Sequence, residues 1–216
     1  MPGMREAVVY IHGLWMTGLE MNLLARRLSG QGFAVHRFRY SSILATPEGN
    51  AARLDAYLRT LDADVVHLVG HSLGGLVIMH LFHQFPLQRP GRVVMLGTPV
   101  SGSGVAASLA RSPLSRWTLG RSIQRGLLGD VPRWKGARDL GMIAGARGVG
   151  VGRALGAAPP GEGDGTVDLR ETWSDAVTAH LTVPYSHFTL LTARPVAQAV
   201  ANFLRTGDFA GRTTHS

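Results

Sequence analysis

The pentapeptide Gly70-His71-Ser72-Leu73-Gly74 has the pattern G-x-S-x-G and sits between an apolar run, Val65 to Val69, and a helical pattern that starts at Leu73. Where a strand turns tightly into a helix its flanks are crowded, and only glycine-sized residues at 70 and 74 let a serine side chain stand clear of the backbone. Ser72 is therefore the candidate nucleophile, and the strand-to-helix setting separates it from a chance match in a chain with 28 glycines. A serine hydroxyl is a weak nucleophile at neutral pH, so a base must take its proton and a third group must orient the base. Among nine histidines, His187 in Pro184-Tyr185-Ser186-His187-Phe188 follows the last predicted strand, where a loop at the C-terminal edge of a sheet carries an imidazole over Ser72. His67 and His180 fall inside predicted strands, and His71 is expected to point away from Ser72. His80 and His83 share helical spacing, but no carboxylate accompanies them in sequence and no metal site is expected.

Asp164, in Gly163-Asp164-Gly165-Thr166-Val167, lies between the last two predicted strands and gives the chain order Ser, Asp, His. Glu162 and Asp168 are the near alternatives in the same glycine-rich loop, whereas Asp139 precedes its strand and belongs at the opposite edge of the sheet. The oxyanion formed on acyl attack needs two fixed N–H donors, each worth roughly 3 to 4 kcal/mol of barrier. The amide of Leu73, first in the helix, is one candidate; the amide of Leu14, in the turn His12-Gly13-Leu14-Trp15, is the other. This chemistry requires no cofactor.

Those residues need a scaffold that alternates strands and helices. Ala7 to Ile11 is a short β-branched run closed by His12-Gly13, and Phe33 to Phe38, Val65 to Val69 and Arg92 to Leu96 repeat the pattern. Between them, apolar residues recur at spacings of three and four over Glu20 to Leu28, Pro47 to Leu61 and Leu73 to Phe85. Helices of this length between strands predict parallel pairing with right-handed crossovers, and so a doubly wound α/β sheet. After Pro99 the rhythm breaks: about 100–135 holds Leu109, Leu114, Trp117, Leu119, Ile123, Leu127 and Leu128 among arginines and reads as an inserted helical cap. The sheet resumes at Leu140 to Ala144, Gly145 to Gly165 reads as a long loop, and strand Val177 to Val183 and helix Pro195 to Leu204 close the chain. Within the loop, Gly148-Val149-Gly150-Val151-Gly152 lacks the spacing of a nucleotide-binding glycine motif.

With 216 residues, 45% of them hydrophobic and 17% charged, the chain predicts one compact domain over 1–216. The absence of cysteine excludes disulfides, thiolate metal sites and a cysteine nucleophile. A net charge of +8 invites a nucleic-acid reading, but the basic residues, all arginine except Lys135, are scattered, and no nucleic-acid partner is expected. No apolar run is long enough for a membrane span, and Met1 to Glu6 carries no apolar export segment, so the expected location is the cytoplasm.

Taken together, Tyr10-Ile11-His12-Gly13-Leu14, Gly70-His71-Ser72-Leu73-Gly74-Gly75, Gly97-Thr98-Pro99, Gly163-Asp164-Gly165-Thr166-Val167 and Ser186-His187-Phe188 resemble the α/β-hydrolase superfamily, and within it the small bacterial lipases and esterases. The resemblance covers most of the chain. It implies a minimal α/β-hydrolase fold: a mostly parallel six-stranded sheet, helices on both faces and a helical cap insertion, without the first antiparallel strands of larger members. It implies hydrolysis of a small-molecule ester or lipid-like substrate by Ser72, His187 and Asp164 through an acyl-enzyme. Trp15, Trp117 and Ile123 become candidate acyl-binding residues, and the arginines of the cap become candidates for transient contact with a lipid surface. The same triad serves thioesterases, acyltransferases and amidases; a catalytically silent binding module is the reading from another class.

Overall fold

The computed structural model describes residues 4–148 and 161–210. Six strands, β1 (Glu6–Ile11), β2 (Ala34–Phe38), β3 (Val65–His71), β4 (Val93–Leu96), β5 (Leu140–Gly145) and β6 (Ala179–Val183), form one sheet in the order β2-β1-β3-β4-β5-β6. Every neighbouring pair is parallel, with Ile11 level with Gly70 and His71 level with Leu96. The chain runs from β1 outward to β2, then returns across β1 to lay down β3. That reversal opens a crevice between the C-terminal ends of β1 and β3, where ligands of open α/β sheets bind. The turn after β1 and the end of β3 are the two segments that carry the proposed oxyanion donors and Ser72.

Side-chain alternation divides the core between the two faces. Val8, Tyr10, Val69, Val94, Leu96 and Ile143 meet α1 (Asn22–Ser29) and α6 (Arg194–Thr206) through Leu24, Leu28, Val200 and Phe203. Val9, Ile11, Val66, Leu68, Met95 and Met142 meet α2 (Pro47–Thr60) and α3 (Leu73–Gln84) through Leu54, Leu58, Ile78 and Phe82. α2 starts where Thr46 Oγ1 accepts the Gly49 N–H at 3.1 Å, with Pro47 at its first position. α6 ends at Gly207, whose φ of +82° suits glycine.

Boundaries shift where local polar groups compete with the periodic pattern. The helix expected from Glu20 opens as a 3₁₀ turn, Leu19–Met21, because the Glu20 carboxylate accepts the Gly18 N–H at 2.9 Å, and α1 proper begins at Asn22. The last strand begins at Ala179 rather than Val177, since the Val177 N–H closes a turn onto Ser174 O. Between β4 and β5 the chain forms α4 (Gly104–Ala110), α5 (Pro113–Leu119) and a 3₁₀ turn over Gly120–Ile123. These pack Ala106, Leu119, Ile123 and Leu127 on Leu73 and Leu76, over the first turn of α3. Most of the loop expected over Gly145 to Gly165, with the glycine run from 149 on, lies outside the described residues.

Candidate active site

Ser72 joins β3 directly to α3 with φ +53° and ψ −121°, a conformation that costs a non-glycine residue about 1–3 kcal/mol. Its surroundings enforce it. The Ser72 N–H donates to Leu96 O at 2.9 Å, and its carbonyl accepts from Gly75 N–H at 3.0 Å and from Thr98 Oγ1 at 3.1 Å. Gly74 passes so close to β1 that a Cβ there would overlap Ile11 O, and a Cβ at Gly75 would overlap Thr98 Oγ1. At Gly70 a Cβ would lie 2.7 Å from Gly75 N. The glycines thus let α3 start hard against the sheet.

His187 follows β6 and is 4% exposed; its Nδ1 lies 2.6 Å from Oδ2 of Asp164, itself 1% exposed. A carboxylate only accepts, so Nδ1 carries the proton and Nε2 is left as the basic nitrogen. The other oxygen of Asp164 accepts the N–H groups of Thr166 at 2.9 Å and Val167 at 2.8 Å, and its carbonyl accepts the His187 N–H at 3.1 Å. Gly97, with φ +54°, runs beside this pair: a Cβ there would lie 2.9 Å from Asp164 Oδ2 and 3.1 Å from His187 Nδ1.

The competing carboxylates are engaged elsewhere. Asp168 caps the 3₁₀ turn Leu169–Thr172, accepting the Arg170 N–H at 2.9 Å. Glu162 is exposed, and Asp139 pairs with Arg92 at 2.9 Å just ahead of β5. The carboxyl of Glu171, pushed up by burial, accepts from Gly104 N–H at 2.7 Å and Asp168 N–H at 3.1 Å, joining the Asp164 loop to the start of α4.

One histidine has a partner that the sequence does not reveal. His71 Nε2–H donates to His187 O at 3.0 Å, and the two rings lie 4.5 Å apart. Burial, reinforced by the neighbouring His187, pushes the His71 imidazole well below its ordinary value, so it stays neutral. The reason is geometric, because His71 is the last residue of β3 and its side chain lies on the side of the sheet edge toward the His187 loop. The sequence offers no separate signal for this contact beyond its place next to Ser72.

Ser72, His71 and His187 line one cleft together with Gly13 and Leu14 from the turn after β1. That turn is held by Tyr40 Oη–H, which donates to His12 O at 2.6 Å, and by His12 Nδ1–H, which donates to Gly13 O at 2.9 Å. Leu73 buries its side chain toward α4 and α5, while its amide opens α3 without an intrahelical acceptor. Val105, Ala106, Leu109, Leu119 and Leu127 form an apolar wall, and Trp15 and Phe188 stand partly exposed at the rim.

Two of the expected acyl-binding residues do not reach this cleft. Trp117 is 81% exposed, because Leu119 is the residue of α5 that turns inward and Trp117, two positions earlier, falls on the opposite side of the helix. Ile123 is buried behind the wall, in the cluster with Leu73 and Leu76. Among the described residues no group of three His, Cys, Asp or Glu side chains is placed to hold a metal ion. His80 is instead spent on Arg125 O, 2.6 Å from its Nε2.

A family model described as the alpha/beta hydrolase family matches residues 8–212. Of solved structures, the mature lipase BlEst2 of Bacillus licheniformis is similar with a TM-score of 0.72 at 20% identity, covering 96% of this chain and 94% of that one. A metagenomic carboxyl esterase gives 0.65 at 15% identity, covering 87% and 66%. A pyrethroid hydrolase from Sphingobium faniae JZ-2 gives 0.62 at 15%, covering 93% and 98%. At these identities the likeness is one of fold. No curated protein matches the sequence.

Proposed function

Because the chain belongs to the alpha/beta hydrolase family and has that family's fold, we propose that it hydrolyses carboxylic esters through an acyl-enzyme on Ser72. Ser72 Oγ attacks the acyl carbon as His187 Nε2 takes its proton; the oxyanion is met by the amides of Leu73 and Leu14. His187 then returns the proton to the departing alcohol, and water, deprotonated by the same nitrogen, releases the acid. Asp164 holds the imidazole in the required tautomer and stabilises its charged form. The observation that carries this reading is the buried 2.6 Å contact between His187 Nδ1 and Asp164 Oδ2, beside a serine held at positive φ in the same cleft. The apolar wall from α4 and α5 supports an uncharged acyl chain as the group bound next to the ester.

The test is turnover of p-nitrophenyl butyrate by the wild type, Ser72→Ala, His187→Ala and the double variant. Each single change should lower kcat by on the order of 10⁴-fold, and the double variant should be little worse, because the groups act as a unit. Independent, multiplying losses would contradict the assignment.

A further inference from the structure

We propose that the exposed face of α5 and the 3₁₀ turn after it docks on a lipid bilayer carrying anionic headgroups. The proposal goes beyond ester hydrolysis and does not depend on it. Trp117 is 81% exposed and Leu44 77% exposed, both outside the cleft. The segments that carry them adjoin. Arg121 N–H donates to Ile43 O at 2.8 Å, which brings the Leu44 turn beside the Gly120–Ile123 turn. Trp15 Nε1–H donates to Thr118 O at 2.8 Å, which ties the rim of the cleft to the residue following Trp117.

The charge along the stretch 100–129 has one sign. Arg111, Arg116 and Arg121 are all exposed, and the stretch 100–129 contains no Asp or Glu. Arg125 is paired with Glu48 at 3.3 Å, whereas among the described residues no ion pair engages Arg111, Arg116 or Arg121. Exposed guanidinium groups around an indole and a leucine match the headgroup layer, where Trp rests at the polar–apolar boundary and each basic residue gains from anionic lipid. A nucleic acid would use the charges but leave Trp117 and Leu44 in water. Docked this way, the protein would hold the rim at Trp15 close to the source of an acyl chain.

Vesicle flotation decides it, using phosphatidylcholine alone and phosphatidylcholine mixed with phosphatidylglycerol, at low and high salt. The wild type should float with the phosphatidylglycerol vesicles and not with phosphatidylcholine alone, and about 1 M salt should release it. The double change Arg116→Glu and Arg121→Glu should weaken binding by at least about fivefold per arginine. Trp117→Ala should weaken binding while leaving the dependence on anionic lipid in place. All variants should keep p-nitrophenyl butyrate turnover and thermal midpoint, and Ser72→Ala should float like the wild type, so a failure of docking and a failure of the ester reading are told apart. Equal flotation with both vesicle types, no flotation with either, flotation indifferent to the arginine changes, or double-stranded DNA displacing the vesicles as effectively from Trp117→Ala as from wild type would each overturn it.

Discussion

A serine at φ +53° is a residue under strain, and what surrounds Ser72 shows what the strain requires: backbone of β1 against Gly74, Thr98 against Gly75, and Leu96 O on the Ser72 amide. Gly97 is under the same constraint one step away, because a side chain there would press on both Asp164 and His187. Gly97→Ala should therefore destabilise the fold by about 1–3 kcal/mol and, by displacing the imidazole, lower kcat by about 10²-fold with little change in KM. Unaltered kcat in a folded Gly97→Ala protein would show that the pair tolerates the displacement. At this scale the sequence was highly legible for Ser72, since glycines at fixed offsets encode the crowding of a strand-to-helix corner. It was less so for the carboxylate, where three acids share one glycine-rich loop, and they are told apart by the 2.6 Å contact of Asp164 with His187, the capping contact of Asp168 and the exposure of Glu162. The contact of His71 with His187 is not legible in the sequence because the two lie 116 positions apart, beyond the reach of any local pattern.

At the scale of elements, the acyl wall depends on how α4 is anchored. The Glu171 carboxylate accepts N–H groups from Gly104, the first residue of α4, and from Asp168, so it ties the loop that carries Asp164 to the wall of the cleft. Glu171→Ala leaves those donors without their acceptor and should cost about 1–3 kcal/mol, read as a lowered urea midpoint. Its effect on kcat/KM should be larger for p-nitrophenyl octanoate than for the acetate, because only the longer chain needs Val105, Ala106 and Leu109 in place. Equal losses for both esters would mean that α4 does not bind acyl chains. The long amphipathic helices were legible from their spacing; α4 and α5 were legible as a helical cap but not by face, being seven residues each and too short for a period to declare one. The expectation that Trp117 meets the substrate fails because its direction is set by which side of α5 meets α3.

For the whole molecule, the order of β-branched strands and helices made the parallel sheet legible, but the strand order, and with it the crevice between β1 and β3, comes from tertiary pairing alone. The same burial that builds the two core layers encloses several histidines. His12, His67, His71 and His80 are each held below the ordinary imidazole value, chiefly by burial. Below about pH 6.5 the unfolded chain takes up protons that the folded protein refuses, so stability is lost as pH falls, by up to about 1.4 kcal/mol per pH unit for each such group until its folded value is reached. The thermal midpoint should drop between about pH 7 and pH 5, and His71→Asn, whatever its absolute stability, should show a shallower drop; an unchanged slope would mean that His71 protonates in the folded state. The central claim is that the fold delivers an activated hydroxyl at Ser72, and the most direct measurement is reaction with a fluorophosphonate followed by mass spectrometry of the labelled peptide. The predicted result is a single adduct on Ser72, with labelling slowed by orders of magnitude in His187→Ala. An adduct on another residue, or labelling of Ser72 at the same rate without His187, would contradict it.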